Sequence, residues 1–156
     1  MATDKKNYGS LYQEHYLEQY KLYVNGVEKI SDRRESANKY FVTINSALLV
    51  VSGFVIQYTH SKQQMLLSGL ALLGVIICVI FWFLINSYKQ LNTAKFKMLH
   101  EIEANLPIEL YKKEWDVLGN GKNRKKYYPF SHIERLIPVV FAVAYIAILV
   151  IVEFWR

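Results

Sequence analysis

The chain contains a single cysteine, and three long stretches of it lack charged residues altogether. Cys78 has no partner within its own chain, which excludes a secreted disulfide scaffold. The uncharged stretches are residues 40–58, 65–85 and 136–152. A helix needs about 20 apolar residues to cross a membrane, with about 17 as the lower limit. The composition therefore excludes an ordinary soluble domain and an intrinsically disordered chain.

The uncharged stretches divide the chain into polar segments and membrane spans. The predicted segments are an N-terminal cytoplasmic amphipathic helix (1–39), a first span (40–58), an external loop (59–64), a second span (65–85), a cytoplasmic helical segment with a basic loop (86–135) and a third span (136–155). The first apolar run begins only at Tyr40, so we expect no cleavable signal peptide. The fold class predicted is an all-α integral membrane protein, with three transmembrane helices, an N-terminal amphipathic helix and a helical cytoplasmic layer.

Basic residues are concentrated in two of these segments. Of the 19 Lys and Arg residues, seven lie in 1–39 and ten in 86–135. Three spans place both segments on the same side of the membrane, and the positive-inside rule assigns that side to the cytoplasm. We therefore expect a multi-pass protein of the cytoplasmic (inner) membrane, with a cytoplasmic N-terminus and an external C-terminus.

The N-terminal segment carries aromatic and apolar residues at helical spacing. Its members, the tyrosine stripe, recur at steps of three or four: Tyr12, Tyr16, Tyr20, Tyr23, Val27 and Ile30. Each tyrosine ring buries area while its hydroxyl can stay hydrated, which suits a packed interface with a polar edge. The stripe is predicted to contact the second cytoplasmic segment, another subunit or the membrane surface. Docking of a foreign protein partner is the less favoured alternative. The interface residues predicted here are Tyr12, Tyr16, Tyr20, Tyr23 and Val27.

The segment after the second span is also predicted to be helical. Apolar residues recur there at steps of three or four: Leu91, Ala94, Met98, Ile102 and Leu106. This pattern predicts that the second span continues as an amphipathic helix to about Asn105, with that row on its apolar face. Pro107 is expected to end the helix or open the next turn. Ser131 and Glu134 have the spacing of a capping box, which predicts that Glu134 binds the backbone at the start of the third helix.

Basic residues beside the predicted spans are candidates for contact with anionic lipid headgroups. These residues are Arg33, Arg34, Lys39, Lys122, Arg124, Lys125 and Lys126. A nucleic-acid interface needs a larger basic surface than this, so we expect no nucleic-acid partner.

The predicted spans contain few polar residues. Proton relays and ion-coupled transporters usually place ionisable groups in mid-span. No Asp, Glu, Lys, Arg or His lies there, which argues against both classes. Asn45 lies near the inner end of the first span and can form hydrogen bonds across helices. Gly74 and Cys78 have the spacing of a small-xxx-small pair, which lets helices approach closely. We therefore predict Asn45, Gly74 and Cys78 as contacts between helices or subunits.

Catalytic and metal-binding motifs are missing from the sequence. The four histidines are spread over three segments, with His15 in 1–39, His60 in 59–64, and His100 and His132 in 86–135. The pair His100-Glu101 lacks the second histidine of a zinc-binding helix, and no cysteine pair exists. No nucleophile motif is present either. We expect no enzymatic activity, no metal and no cofactor.

Four strings of the sequence carry a family likeness. They are LEQYKLYV (17–24), EKISDRR (28–34), TINSALL (43–49) and HIERLIP (132–138). In these strings the chain resembles a family of small bacterial inner-membrane proteins, the RipA-like octameric membrane proteins. The resemblance implies a homo-octamer in the bacterial cytoplasmic membrane with a role in envelope physiology or host adaptation. It implies no active-site residues.

Two functions remain open from the sequence. The first is a non-enzymatic inner-membrane protein that assembles with itself and acts as a membrane scaffold, a channel-like assembly or an envelope and host-adaptation factor. The alternative is a membrane effector of a bacterial anti-phage defence system that perturbs the bilayer on a cytoplasmic signal. Such an effector should carry or recruit a sensor, and segment 86–135 contains no recognisable one.

Overall fold

The computed structural model describes residues 5–58, 63–122, 127 and 130–154. These residues form the helices α1 (Lys5–Tyr8), α2 (Tyr12–Tyr58), α3 (Gln63–Glu103), α4 (Leu110–Val117) and α5 (Phe130–Phe154). Within the described ranges the chain forms no strand. The predicted all-α architecture is therefore confirmed.

Three of these helices are long and apolar enough to span a membrane. The most apolar windows of α2, α3 and α5 have a mean hydropathy of 1.7, 2.7 and 2.7. Because lipid offers no hydrogen bonds to an exposed backbone, a helix that satisfies its own backbone groups is the natural spanning element for such a sequence. The chain is thus an all-α integral membrane protein with three membrane-spanning helices.

The two longest helices continue well beyond their apolar stretches. Helix α2 has 47 residues and joins the tyrosine stripe to the first predicted span without a break. Gly26 lies inside it, and its cost of about 1 kcal/mol relative to alanine is small beside the many backbone hydrogen bonds of so long a helix. Helix α3 has 41 residues and ends at Glu103, close to the predicted end near Asn105. Pro138 lies inside α5.

The chain divides into two compact units. Unit 1 contains the described residues of Met1–Arg33 and Gln90–Tyr127, and unit 2 those of Arg34–Lys89 and Tyr128–Arg156. Unit 1 is therefore built from α1, the first part of α2, the last part of α3 and α4. Unit 2 is built from the apolar parts of α2, α3 and α5.

The inward face of α3 in unit 1 differs from the predicted one. Leu91 and Met98 are 45% and 48% exposed, whereas Leu99 and Glu103 are fully buried. The predicted apolar row is therefore wrong at Leu91 and Met98, which lie about one residue or 100° from the buried face, whereas Ile102 in the same row is half-buried. The reason is that two helices pack against this part of α3, and together they bury a face that includes a carboxylate.

The core of unit 2 contains an aromatic contact between its three helices. The rings of Phe41 and Phe81 stack with their centroids 3.9 Å apart, and Phe141 meets Phe41 edge-on at 5.8 Å. Each of the three spanning helices thus contributes one phenylalanine to the contact. Ala71, Cys78, Ile85 and Tyr145 complete the buried cluster.

Candidate functional site: three buried polar clusters

The tyrosine stripe of α2 forms hydrogen bonds with α3 inside unit 1. The Tyr16 hydroxyl donates to the carbonyl oxygen of Ile102 at 2.6 Å. The Tyr20 hydroxyl donates to Oε1 of Glu103 at 2.9 Å. These contacts join residues more than 80 positions apart in the sequence, so they hold the two polar segments of one chain together.

The remaining stripe residues extend the same face. The Tyr12 ring stacks on that of Tyr16 with the centroids 5.9 Å apart. The Tyr23 hydroxyl donates to the Lys95 carbonyl at 3.4 Å, and the Lys95 ammonium lies 5.0 Å from the centre of the Tyr23 ring, within cation–π range. Val27 is buried. The stripe therefore packs within one chain, and its part in a contact between subunits stays a prediction.

Glu103 is a buried carboxylate that organises the start of α4. Its Oε1 accepts the Tyr20 hydroxyl and the Tyr111 backbone N–H at 3.2 Å, and its Oε2 accepts the Lys112 N–H at 3.3 Å. The first N–H groups of a helix have no partner inside the helix, and the helix dipole favours a negative charge beside them. Glu103 thus supplies hydrogen-bond acceptors for N–H groups that have no partner inside α4. The sequence analysis missed this role because no local signal separates Glu103 from the exposed Glu101.

Tyr111 lies beside this carboxylate and retains its proton. Burial raises the pKa of the Tyr111 phenol, and the nearby carboxylates of Glu28, Glu103 and Glu114 raise it further. Its ring meets that of Phe96 at 6.1 Å. A protonated phenol packed in this way supports the unit mechanically and is unsuited to proton transfer near neutral pH.

A second cluster lies in the core of unit 2, around Asn45. The Tyr145 hydroxyl lies 3.0 Å from Oδ1 and 3.1 Å from the backbone oxygen of Asn45, both of which accept. The Asn45 Nδ2 donates to the Phe41 carbonyl at 2.8 Å, and the Cys78 thiol approaches the Asn45 Oδ1 at 3.9 Å. The cluster therefore joins α2, α3 and α5 through one buried amide.

Gly74 makes room for this cluster. A Cβ atom at Gly74 would lie 2.4 Å from the Tyr145 ring, far inside normal contact distance. The three residues predicted as contacts, Asn45, Gly74 and Cys78, are thus brought together within one chain, around Tyr145. Sequence reasoning did not find Tyr145, because a tyrosine in an apolar run has no local mark of burial. A contact between subunits through these residues stays a prediction.

The third cluster surrounds Glu134 at the end of unit 2 where α5 begins. The Glu134 side chain is 1% exposed and forms an ion pair with the Arg34 guanidinium. The Arg34 Nε donates to Oε2 at 2.8 Å, and the Asn38 Nδ2 donates to Oε1 at 2.6 Å. Helix α5 already begins at Phe130, so the predicted capping role of Glu134 is wrong. A buried carboxylate gains more from a guanidinium and an amide of α2 than from one backbone N–H.

The residues predicted to contact lipid headgroups have different surroundings. Arg33 and Lys122 are exposed. Arg34 is engaged by Glu134, and Lys39 pairs with Glu35 at 2.6 Å on the surface. The rest of the predicted set lies outside the described residues: Arg124, Lys125 and Lys126. The headgroup contacts stay predictions.

The clusters do not form a metal site. Among the residues that the structure describes, no group of three or more His, Cys, Asp or Glu side chains is placed to hold a metal ion. The buried polar groups instead bond to one another and tie helices together. What the geometry defines is an integral membrane protein of three spanning helices, braced by one polar cluster in unit 1 and two in unit 2.

Comparison with known protein families identifies the family of this membrane protein. The model of the octameric membrane protein family (8xMP) matches residues 17–155, which is most of the chain. The chain therefore belongs to this family, and the resemblance drawn from the four sequence strings is confirmed. No curated protein and no solved structure matches the chain.

Proposed function

We propose that this protein is a non-enzymatic membrane scaffold that assembles from several copies of its own chain. One observation carries the proposal: a single chain leaves most of its spanning surface outside. The buried share of the most apolar window is 17% in α2, 28% in α3 and 11% in α5. Further helices have ample surface on which to pack. Membership of an octameric family supports copies of the same chain as the source of those helices.

The exposed face of α2 in unit 2 has the composition that favours helix association in membranes. Small residues on this exposed face follow one another at helical spacing: Thr43, Ser46, Ala47 and Gly53. The space in which a Gly53 side chain would lie is empty to 4 Å. Because small residues let two backbones approach closely, we propose this face of α2 as a contact between copies.

The non-enzymatic part of the proposal is supported by the engagement of the buried carboxylates. Glu103 accepts three hydrogen bonds, and Glu134 is held by Arg34 and Asn38. A general base must lie within hydrogen-bond reach of a substrate proton, and both of these side chains are buried. Both carboxylates are occupied with holding helices in place, which favours a structural role for them.

The subunit number tests the scaffold directly. Native mass spectrometry of the protein in mild detergent, with lipid removed, should give one closed species of high order. Gly53→Leu should lower the subunit number, and Gly69→Leu on α3 should leave it unchanged, since only the α2 face is proposed as the contact. A monomeric wild-type protein would contradict the proposal. Liposomes that contain the assembly should retain an entrapped dye. Release of the dye would contradict the scaffold function and favour a channel-like assembly.

We also propose that the assembly lies in the cytoplasmic membrane with the N-terminus in the cytoplasm. The support is the charge distribution, with 17 of 19 basic residues in segments 1–39 and 86–135. Reporters fused to each end of the chain test this orientation. The N-terminal reporter should read as cytoplasmic and the C-terminal one as external, and a cytoplasmic signal from both would contradict the arrangement.

A further inference from the structure

A groove runs along the surface of unit 2 between α3 and α5. It has a volume of about 260 Å³ and apolar walls, with Val79, Trp82 and Phe83 on α3 and Pro138, Val139 and Ala142 on α5. The short Ala142 side chain leaves space opposite the large rings of α3. We name this feature the α3–α5 groove. A groove of this shape in a spanning region suits a slender apolar chain.

Helical spacing places two polar residues beyond one end of the groove. Helices α3 and α5 are antiparallel, since Gly74 lies beside Tyr145 while Trp82 and Pro138 line the same groove. Arg135 lies three residues before Pro138 and four before Val139, and therefore on the same face of α5. Asn86 lies one turn beyond Trp82 on α3. Both polar residues thus come at the mouth of the groove, where α5 begins.

Arg135 is the feature that selects a ligand. Its side chain is half-buried, and its Nε is shielded from water with no hydrogen-bond partner in the part of the chain that the structure describes. A buried donor without an acceptor is costly, so the Arg135 side chain gains by turning outward to an anion, and a guanidinium binds a phosphate through two parallel hydrogen bonds. Trp82 lies one turn inside this mouth and near the end of the uncharged stretch 65–85, a position that indole rings favour at the headgroup boundary.

The apolar walls and the nearby guanidinium together fit one kind of ligand. We propose that the α3–α5 groove holds an acyl chain of an anionic phospholipid, with the phosphate of that lipid bound by Arg135. A spanning helix of a second copy supplies only the apolar part, because stretches 40–58, 65–85 and 136–152 contain no carboxylate and the guanidinium would need one from outside them. A phospholipid supplies both the apolar chain and the anion at the correct end.

The test is lipid binding by the full-length protein in dodecylmaltoside, followed by native mass spectrometry. The probes are dioleoylphosphatidylglycerol and dioleoylglycerol, which share their acyl chains and differ in the phosphate headgroup. The wild-type protein should prefer the phospholipid by about tenfold, and Arg135→Gln should abolish that preference. Lys113→Gln removes an exposed charge from α4 and should preserve it. Equal binding of both probes by the wild-type protein, or a preference kept by Arg135→Gln, overturns the proposal.

The groove itself is tested by filling it. Val139→Trp places a large ring in the α3–α5 groove and should weaken binding of both probes by about tenfold. Val140→Trp adds the same ring at the adjacent, 66% exposed position and should leave binding unchanged. If Val139→Trp instead alters the subunit number and leaves lipid binding intact, the groove is an interface between copies and the lipid proposal fails. The comparison of the two probes on wild-type protein needs no variant, so it decides the question even where a tryptophan disturbs folding.

Discussion

Replacement of Gly74 by alanine is the sharpest perturbation of the helix packing in unit 2. The added methyl group would lie 2.4 Å from two Tyr145 ring atoms and 2.6 Å from a third. Carbon atoms in contact prefer about 3.5–4.0 Å, so the ring and the helix must separate by about 1 Å. Tyr145 is fully buried and bonded to Asn45, so its ring cannot turn aside without losing that hydrogen bond.

The magnitude follows from three terms. Overpacking of a well-packed core costs about 1–3 kcal/mol. Loss of the Tyr145 hydrogen bond costs about 1 kcal/mol more, and the helix preference of alanine over glycine returns about 1 kcal/mol. We therefore expect Gly74→Ala to lower the free energy of unfolding by about 1–3 kcal/mol. Gly69→Ala, on the same helix with open space around it, should raise it by up to about 1 kcal/mol.

Reversible unfolding in mixed detergent micelles, followed by circular dichroism, measures both changes. The two alanine variants should lie on opposite sides of the wild-type protein. A Gly74→Ala variant as stable as Gly69→Ala would refute the close approach of α3 and α5. The double variant Gly74→Ala with Tyr145→Leu provides a further check, because removal of the ring should make the combined loss smaller than the sum of the single losses.

The same unfolding assay tests three further contacts. Tyr145→Phe removes only the hydroxyl bonded to the Asn45 amide, and should cost about 1 kcal/mol or less. Glu103→Ala leaves three donors without their acceptor and should cost about 2 kcal/mol, with faster hydrogen exchange at the Lys112 amide; unchanged exchange there would contradict the role of Glu103 at α4. Arg34→Gln should cost about 3–5 kcal/mol, because it leaves the Glu134 carboxylate buried without a counter-charge. Arg34→Gln combined with Glu134→Gln should recover part of that loss, and no recovery would argue against the ion pair.

Some features of the fold could be predicted from local patterns. The uncharged stretches predicted three spanning helices, since only an apolar run of that length can cross a bilayer. The tyrosine stripe predicted one inward face on the polar part of α2, and the structure places Tyr16, Tyr20 and Tyr23 against α3 of the same chain. Both predictions depend only on the spacing and the hydropathy of residues along a single helix, and not on the helices that pack against it.

Other features depended on partners far away in the sequence. Glu103 and Glu134 are buried charges, and a charge pattern alone predicts exposure for both. Their burial follows only from α4 on one side and from Arg34 and Asn38 on the other. The same cause explains the wrong face predicted for α3, where a carboxylate lies inward and Met98 outward.

The sequence by itself determined the helical class, the number of spanning helices and the face of α2 that the tyrosine stripe lies on. These properties arise from interactions of a residue with solvent, lipid and its own helix, all of which depend on nearby residues. Only the tertiary structure decided that Tyr145 meets Gly74, that two carboxylates are buried and that an apolar groove lies between α3 and α5. Those outcomes depend on which helix faces lie together, because a buried polar group is stable only where another helix supplies its partner.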